Sequence, residues 1–260
     1  MLSMHGGTHP ATKKKMLGGF ARMAIVAAAV LCTRPLMAGD PHEVGASSQN
    51  RGPGEPQEAR DQREPVLLIH GWAAAGADMV PMRDAIAAAG YVTYVANLPG
   101  SNNIENGKAI ARLVDTAIAD THAAKVHLVG HSMGGLAMRY YVKRLGGEAR
   151  VRTYVAFGTP QYGFSFACYL EENQGGQMCP WNPFLTDLNA GDDTPGQVAY
   201  HTFRSTEDTP DISRLDGGAC FHEIPGVAHF DEPKSPVFAR AVLAAIGGSC
   251  PGSHVDLPIE

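Results

Sequence analysis

The sequence predicts an α/β fold: a mostly parallel central sheet with helices on both faces. From Pro65 onward, short continuous apolar runs recur, as strands buried on both faces require. Between them lie stretches whose apolar residues repeat at helical spacing. Strands that alternate with helices pair in parallel, because each helical crossover returns the chain to the same end of the sheet. Size agrees. With 260 residues, 44% of them apolar and 18% charged, the chain can bury one generous α/β core, which excludes a wholly disordered protein.

Residues 1–38 stand apart from that pattern. They hold Lys13, Lys14, Lys15, Arg22 and Arg34 and no acid, so the remainder carries 16 basic against 26 acidic residues, a net −10 behind the overall −5. A body that acidic is not expected to bind nucleic acid, since neutralising phosphates takes a clustered Lys/Arg face. The lysine run precedes an apolar stretch from Met23 to Leu31, too short for a bilayer that needs about 20 apolar residues. Small residues follow at Ala38-Gly39. This is the order of a secretory signal peptide cleaved after Ala38, and it predicts an extracellular or periplasmic protein. An uncleaved anchor helix is the competing reading, and Leu31 argues against a lipid anchor on Cys32. Residues 39–64 mix Gly, Pro and charged residues without apolar periodicity, as a flexible leader does.

The catalytic domain is expected over 65–260. Its strand candidates are Val66–Ile69, Tyr91–Val95, Val126–Val129, Val151–Phe157, 198–204 and 220–224. In 104–124 the positions Ile110, Leu113, Val114, Ala117 and Ile118 share one helix face, as spacings of three and four require. Leu136–Leu145 and Val237–Ile246 are further helices. Residues 161–196 break the alternation with Gly, Asn, Gln, Asp and Pro. A long irregular insertion of this kind predicts a loop-rich cap, with any active site beneath it. Within it, Asp192-Asp193 reads as a solvated turn rather than a metal site.

The most informative residues are Gly130-His131-Ser132-Met133-Gly134-Gly135, between a strand and a helix candidate. A chain that turns sharply there holds its serine at the apex in a strained conformation, with glycine needed two residues either side. The serine hydroxyl is then lifted out beside a helix N-terminus that favours negative charge. Acyl transfer needs two backbone donors for the oxyanion. Met133, after the serine, supplies one, and Trp72 in the His70-Gly71-Trp72 loop is the candidate for the other. The order serine, acid, histidine restricts the base to His201, His222, His229 and His254. His229, in the loop between the strand 220–224 and the last helix, is best placed. His222 lies inside a strand, His254 in the tail, and His201 before the favoured acid, Asp208. Asp211 is a live alternative to Asp208; Glu207 and Asp216 read as solvated loop carboxylates. His131 reads as a packing residue.

With these residues assembled, the chain resembles the α/β-hydrolase family of secreted bacterial lipases, especially its small, lid-poor members. The resemblance covers about 65–247. It rests on Pro65-Val66-Leu67-Leu68-Ile69-His70-Gly71, the Ser132 elbow, Phe157-Gly158-Thr159-Pro160, Ser213-Arg214-Leu215-Asp216-Gly217 and Gly226-Val227-Ala228-His229. It implies the α/β-hydrolase fold, Ser132 as nucleophile, Asp208 as acid, His229 as base, and the Trp72 and Met133 amides as oxyanion donors. The small members have a shorter connection where 161–196 stands. Of the five cysteines, four lie in the acidic body; in an exported protein these imply two disulfides with three possible connectivities. Cys168–Cys179 across the cap and Cys220–Cys250 behind the last helix are expected. A zinc site competes, but no paired C-x-x-C occurs.

The expected activity is that of a serine carboxylester hydrolase, a lipase on acyl esters, with Trp72, Phe164 and Phe230 against the acyl chain. No cofactor or metal is expected, and the partners are lipid substrate and a transient lipid interface, met by a monomer. An esterase, polyesterase, thioesterase or amidase would use the same residues. From a different class, the chain could be a non-catalytic binding scaffold. Nucleotide binding is disfavoured by the lack of G-x-G-x-x-G or a P-loop lysine, and a dehalogenase would need a carboxylate at position 132.

Overall fold

The computed structural model describes residues 63–208, 213–215 and 217–255. The described strands are β1 (Val66–Ile69), β2 (Thr93–Val95), β3 (Val126–His131), β4 (Val151–Phe157), β5 (Ala199–Ser205), β6 (Ala219–Ile224) and β7 (Ser253–Val255). They form one sheet in the order β2-β1-β3-β4-β5-β6-β7. Every pair is parallel except the last, where β7 runs antiparallel to β6. The described α-helices are α1 (Val80–Ala88), α2 (Asn103–Thr121), α3 (Met133–Arg144), α4 (Pro183–Leu188) and α5 (Pro236–Ile246).

Alternate residues of each strand serve opposite faces, and the core divides accordingly. Leu67 and Ile69 of β1 and Leu128 of β3 pack with Ile110, Leu113, Val114 and Ala117 of α2 and with Met138 and Tyr141 of α3. Val66, Leu68, Val129 and Val155 face Met82 and Ile86 of α1 and Phe238, Val242 and Ile246 of α5. The sheet is therefore covered on both sides, as its continuous apolar strands demand.

Local chemistry sets the helix ends. The Asn102 carboxamide accepts the amides of Ile104 and Glu105 at the start of α2, and Ser235 accepts that of Val237 before α5, satisfying donors a helix start leaves open. α2 stops three residues short of the expected 124, where His122 takes a left-handed conformation at φ 56°. Three elements escaped the sequence reading: α1, β7 and α4. His254, expected in the tail, sits in β7 opposite Cys220. The cap is correspondingly less irregular than its composition suggests, with α4 and three short 3₁₀ turns (Ser165–Tyr169, Glu172–Gln174 and Gly176–Met178).

The expected signal segment (1–38) lies outside the described residues, as does most of the expected leader. Only Arg63 and Glu64 of the leader are described, and both are fastened. Arg63 donates to the Ala89 carbonyl, and the Arg152 guanidinium forks onto Glu64 at 2.8–3.1 Å. Cys168 is joined to Cys179 and Cys220 to Cys250, the expected pairing. The first closes the cap on itself; the second ties β6 to the segment after α5.

Candidate active site

Ser132 follows β3, the loop carrying Trp72 follows β1, Asp208 follows β5 and His229 follows β6, so all four reach the carboxyl edge of the sheet. Ser132 has φ 53° and ψ −129°, a conformation that a side chain rarely adopts and that persists only where its surroundings enforce it. Its amide donates to the Phe157 carbonyl of β4 (2.9 Å), and its carbonyl accepts from the Gly135 amide (3.0 Å) and the Thr159 hydroxyl (2.9 Å). The flanking glycines serve close approach. A Cβ on Gly134 would lie 2.5 Å from the His70 carbonyl oxygen, and one on Gly130 would lie 2.6 Å from Met138 Cε.

The elbow presents its serine to a histidine. Ser132 Oγ lies 3.1 Å from His229 Nε2, and His229 Nδ1 lies 3.1 Å from Asp208 Oδ2. These are hydrogen-bond distances, and the chain of three is continuous. Asp211 and Asp216 lie outside the described residues. Glu207 is exposed, His222 is half-buried in β6 and His201 is buried in β5, where burial lowers its pKa to about 4.

On the other side of Ser132, Gly71 approaches so closely that a Cβ there would stand 2.7 Å from Ser132 Cβ. His70 fixes this loop. Its Nδ1–H donates to the Gly71 carbonyl at 2.9 Å and its Nε2 accepts the Leu98 amide at 3.1 Å. This pairing needs the neutral ring, and burial lowers the pKa of His70 in the same sense. Trp72 and Phe164 pack, partly buried, against a cluster that joins Met133 and Leu136 of α3 to Met178, Phe184 and Leu188 of the cap. The cap thus roofs the residues that follow the serine. Phe230 is 57% exposed beside His229, the ring centroids 5.3 Å apart.

Asp193 corrects the sequence reading. It is buried, not solvated, and gathers the Arg139 guanidinium (3.2 Å), the Lys143 ammonium (3.3 Å) and the Tyr162 hydroxyl (2.6 Å). Arg139, fully buried in α3, also donates to the Gln161 carbonyl (3.0 Å) and to Asn189. The cap is bolted to α3 by a desolvated charge pair. At the opposite side, the Asn103 amide at the start of α2 donates to Gln177 Oε1 of the cap at 2.6 Å.

A residue that sequence reasoning missed altogether lies behind the histidine. Glu232 is 0% exposed; its Oε1 accepts the Ser205 amide at 3.2 Å, and its Oε2 lies 3.4 Å from His131 Nε2 and 3.9 Å from His229 Nδ1. Burial, and then the Asp208 carboxylate, push its pKa up to about 9. Burial, and then His229, push that of His131 well down. Both shifts favour the neutral forms. One donor atom each from His131, His229 and Glu232 lie within 4.8 Å of one another, close enough for a metal. Both ring nitrogens of His229 are, however, already engaged by Ser132 and Asp208.

Comparison with known proteins agrees with this architecture. Residues 65–204 match the family model described as palmitoyl protein thioesterase. Two curated relatives, triacylglycerol lipases of Pseudarthrobacter phenanthrenivorans and Burkholderia plantarii, are each 35% identical over 120 residues, or 42% of this chain. The aligned segments cover 37% and 33% of those relatives, so the chain matches about a third of their length. Among solved structures, the Bacillus licheniformis lipase BlEst2 in its propeptide form superposes with a TM-score of 0.66 at 14% identity, covering 82% of this chain and 55% of that one. Aspergillus fumigatus lipase B superposes at 0.60 with 15% identity, covering 74% and 54%. At such identities the likeness carries the fold, which is the α/β-hydrolase fold. Because the matched family model spans more than half of the sequence, the chain belongs to the palmitoyl protein thioesterase family of α/β-hydrolases.

Proposed function

We propose that the protein is a serine carboxylester hydrolase, a lipase on acyl esters, with Ser132 as nucleophile, His229 as general base and Asp208 as the acid that orients it. The observation that carries this reading is the continuous hydrogen-bond chain from a strained serine through His229 to Asp208, with 3.1 Å at both links. Ser132 Oγ attacks the ester carbonyl carbon while His229 Nε2 takes its proton. The oxyanion forms against the amides of Met133 and Trp72. Met133 opens α3, so its N–H has no acceptor within the helix. The imidazolium, steadied by Asp208, returns the proton to the departing alcohol, and water releases the acyl group by the same steps in reverse.

The acyl chain would lie along the apolar floor that Trp72 forms with Phe164 and Met178 of the cap, with Phe230 at the mouth. A thioester is the second reading, favoured by the description of the matched family. The oxyanion chemistry is common to both, so substrate choice falls to this floor. A fluorophosphonate probe is expected to label Ser132; failure to label would favour a binding scaffold. In a C2 to C16 series of p-nitrophenyl esters and matching thioesters, Phe164→Ala is expected to lower kcat/KM for C12 by about tenfold relative to C2, the effect of losing one buried aromatic contact. Equal losses at both lengths would place Phe164 away from the chain.

Tyr169 and Trp181 of the cap are 86% and 76% exposed, and Phe230 shares that exposure beside the histidine. Such amphipathic rings suit transient contact with a lipid surface, met by a monomer. Export belongs to the same reading. No described helix is long and apolar enough to cross a membrane, and paired disulfides persist in oxidising compartments. N-terminal sequencing of protein from the culture medium is expected to begin at Gly39; a start at residue 1 would reject cleavage.

A further inference from the structure

Three segments must be held in register for the hydrogen-bond chain to exist: the end of β3 with Ser132, the end of β5 leading to Asp208, and the turn carrying His229. One side chain touches all three. Glu232 is three residues beyond His229 in the 3₁₀ turn His229–Lys234; its Oε1 accepts the amide of Ser205, the last residue of β5, and its Oε2 faces His131, the residue before Ser132. Ser205 in turn accepts the Val227 and Glu207 amides on its hydroxyl at 3.0 and 3.1 Å, binding the approach to His229 to the approach to Asp208. The seat is shaped for the carboxyl. Gly158, at φ 58°, lies so close that a Cβ there would stand 2.2 Å from Glu232 Oε2.

The protonation state follows from the partners. His131 Nε2 and Glu232 Oε2 are both buried and face each other, and neither has a hydrogen-bond partner among the described residues. Two bare acceptors would repel, and a buried polar atom without a partner costs stability. A single proton on Oε2 resolves both, because it can be donated to Nε2 of a neutral His131. His131 also hydrogen-bonds the His229 backbone, and its ring lies on the His229 ring at 4.6 Å between centroids.

We propose that Glu232 is a positioning residue for the catalytic histidine, acting as a neutral carboxylic acid whose O–H bridges to His131 and whose other oxygen fastens the His229 turn to the end of β5. Among the described residues, Asp208 is then the one anion against the imidazole. The inference rests on the Ser132–His229–Asp208 reading. The groups facing Glu232 are His131 from β3, Asp208 from the loop after β5, and His229 from its own turn. On the elements packed around that turn, Asp78, Asp84 and Arg240 are exposed, Arg83 pairs with Asp84, and Asp231 and Lys234 of the turn itself are exposed.

The test compares Glu232→Gln and Glu232→Ala with wild type on p-nitrophenyl butyrate from pH 5 to 9.5, alongside thermal melts over the same range. The Gln variant keeps a neutral group that can donate to His131 and accept from Ser205. It is expected to hold kcat/KM within about threefold of wild type at pH 7 and to lack the alkaline decline expected of wild type near pH 9. The Ala variant is expected to lose at least tenfold in kcat with KM little changed. The folded pKa stands above the unfolded one, so the contribution to stability is full below about pH 4.5 and is lost as pH rises towards 9. The melting temperature of wild type should therefore fall across that window more steeply than that of the Gln variant, a readout that survives if the Ala variant fails to fold. A Gln variant as inactive as Asp208→Asn would make Glu232 an ionised triad acid and overturn the proposal. So would Gln and wild type with the same pH profiles in both activity and melting. Retained activity in Ser132→Ala would instead reject the triad reading itself.

Discussion

Alanine at Ser132 is expected to lower kcat on p-nitrophenyl butyrate by about a millionfold, the scale seen when a serine nucleophile is removed from such a unit. The residual rate would come from the amides of Met133 and Trp72, which still bind an oxyanion but have no attacking hydroxyl to serve. The substitution leaves the packing intact, because Ser132 sits at the surface end of the elbow and its backbone bonds to Phe157, Gly135 and Thr159 do not use the hydroxyl. Circular dichroism and the melting temperature should therefore match wild type while activity vanishes. A variant that keeps more than one thousandth of the activity would show that another group attacks the ester.

Asparagine at Asp208 is expected to cost about 10⁴-fold in kcat. The Asp208 carboxylate accepts a hydrogen bond from His229 Nδ1–H, leaving Nε2 free to take the serine proton. An asparagine can turn its amide to donate at the same place, which moves the ring proton to Nε2 and blocks the base. It also withdraws the negative charge that steadies the imidazolium. KM should move little, since the acid does not touch substrate. If Asp208→Asn keeps a tenth of the wild-type rate, the acid lies elsewhere, and Asp211 becomes the first position to change.

The sheet was legible because burial on both faces leaves a continuous apolar run, which Val66–Ile69 and Tyr154–Phe157 display. Helix α2 was legible for the same reason, its buried stripe falling at spacings of three and four. Helix α1 and its N-cap carry the same period in Met79, Met82 and Ile86, all buried, but the alanines and Pro81 of the helix blur the contrast between faces. β7 has no apolar signature at all. Ser253-His254-Val255 pairs as a short edge held near β6 by Cys250, so its pairing is set by tertiary structure.

In the site, Ser132 and His229 stood out because strand, turn and helix signals surround them. Asp193 and Glu232 did not. Each sits beside another acid, Asp192 and Asp231, and a pair of adjacent carboxylates reads as solvent-facing. Only the fold reveals that one of each pair turns inward. Arg139 was equally silent, since a cation on an otherwise amphipathic helix is ordinarily exposed, whereas here it is wholly enclosed by the cap.

That enclosure has a mechanical consequence for how substrate arrives. Swinging the cap away from α3 would strip Arg139 of Asp193, Asn189 and the Gln161 carbonyl together. Those contacts form one unit, and the Cys168–Cys179 bridge closes part of the cap on itself as well. The seat of the cap on α3 is thus set during folding, and an acyl substrate of the proposed hydrolase would have to reach Ser132 past a cap that is held in place.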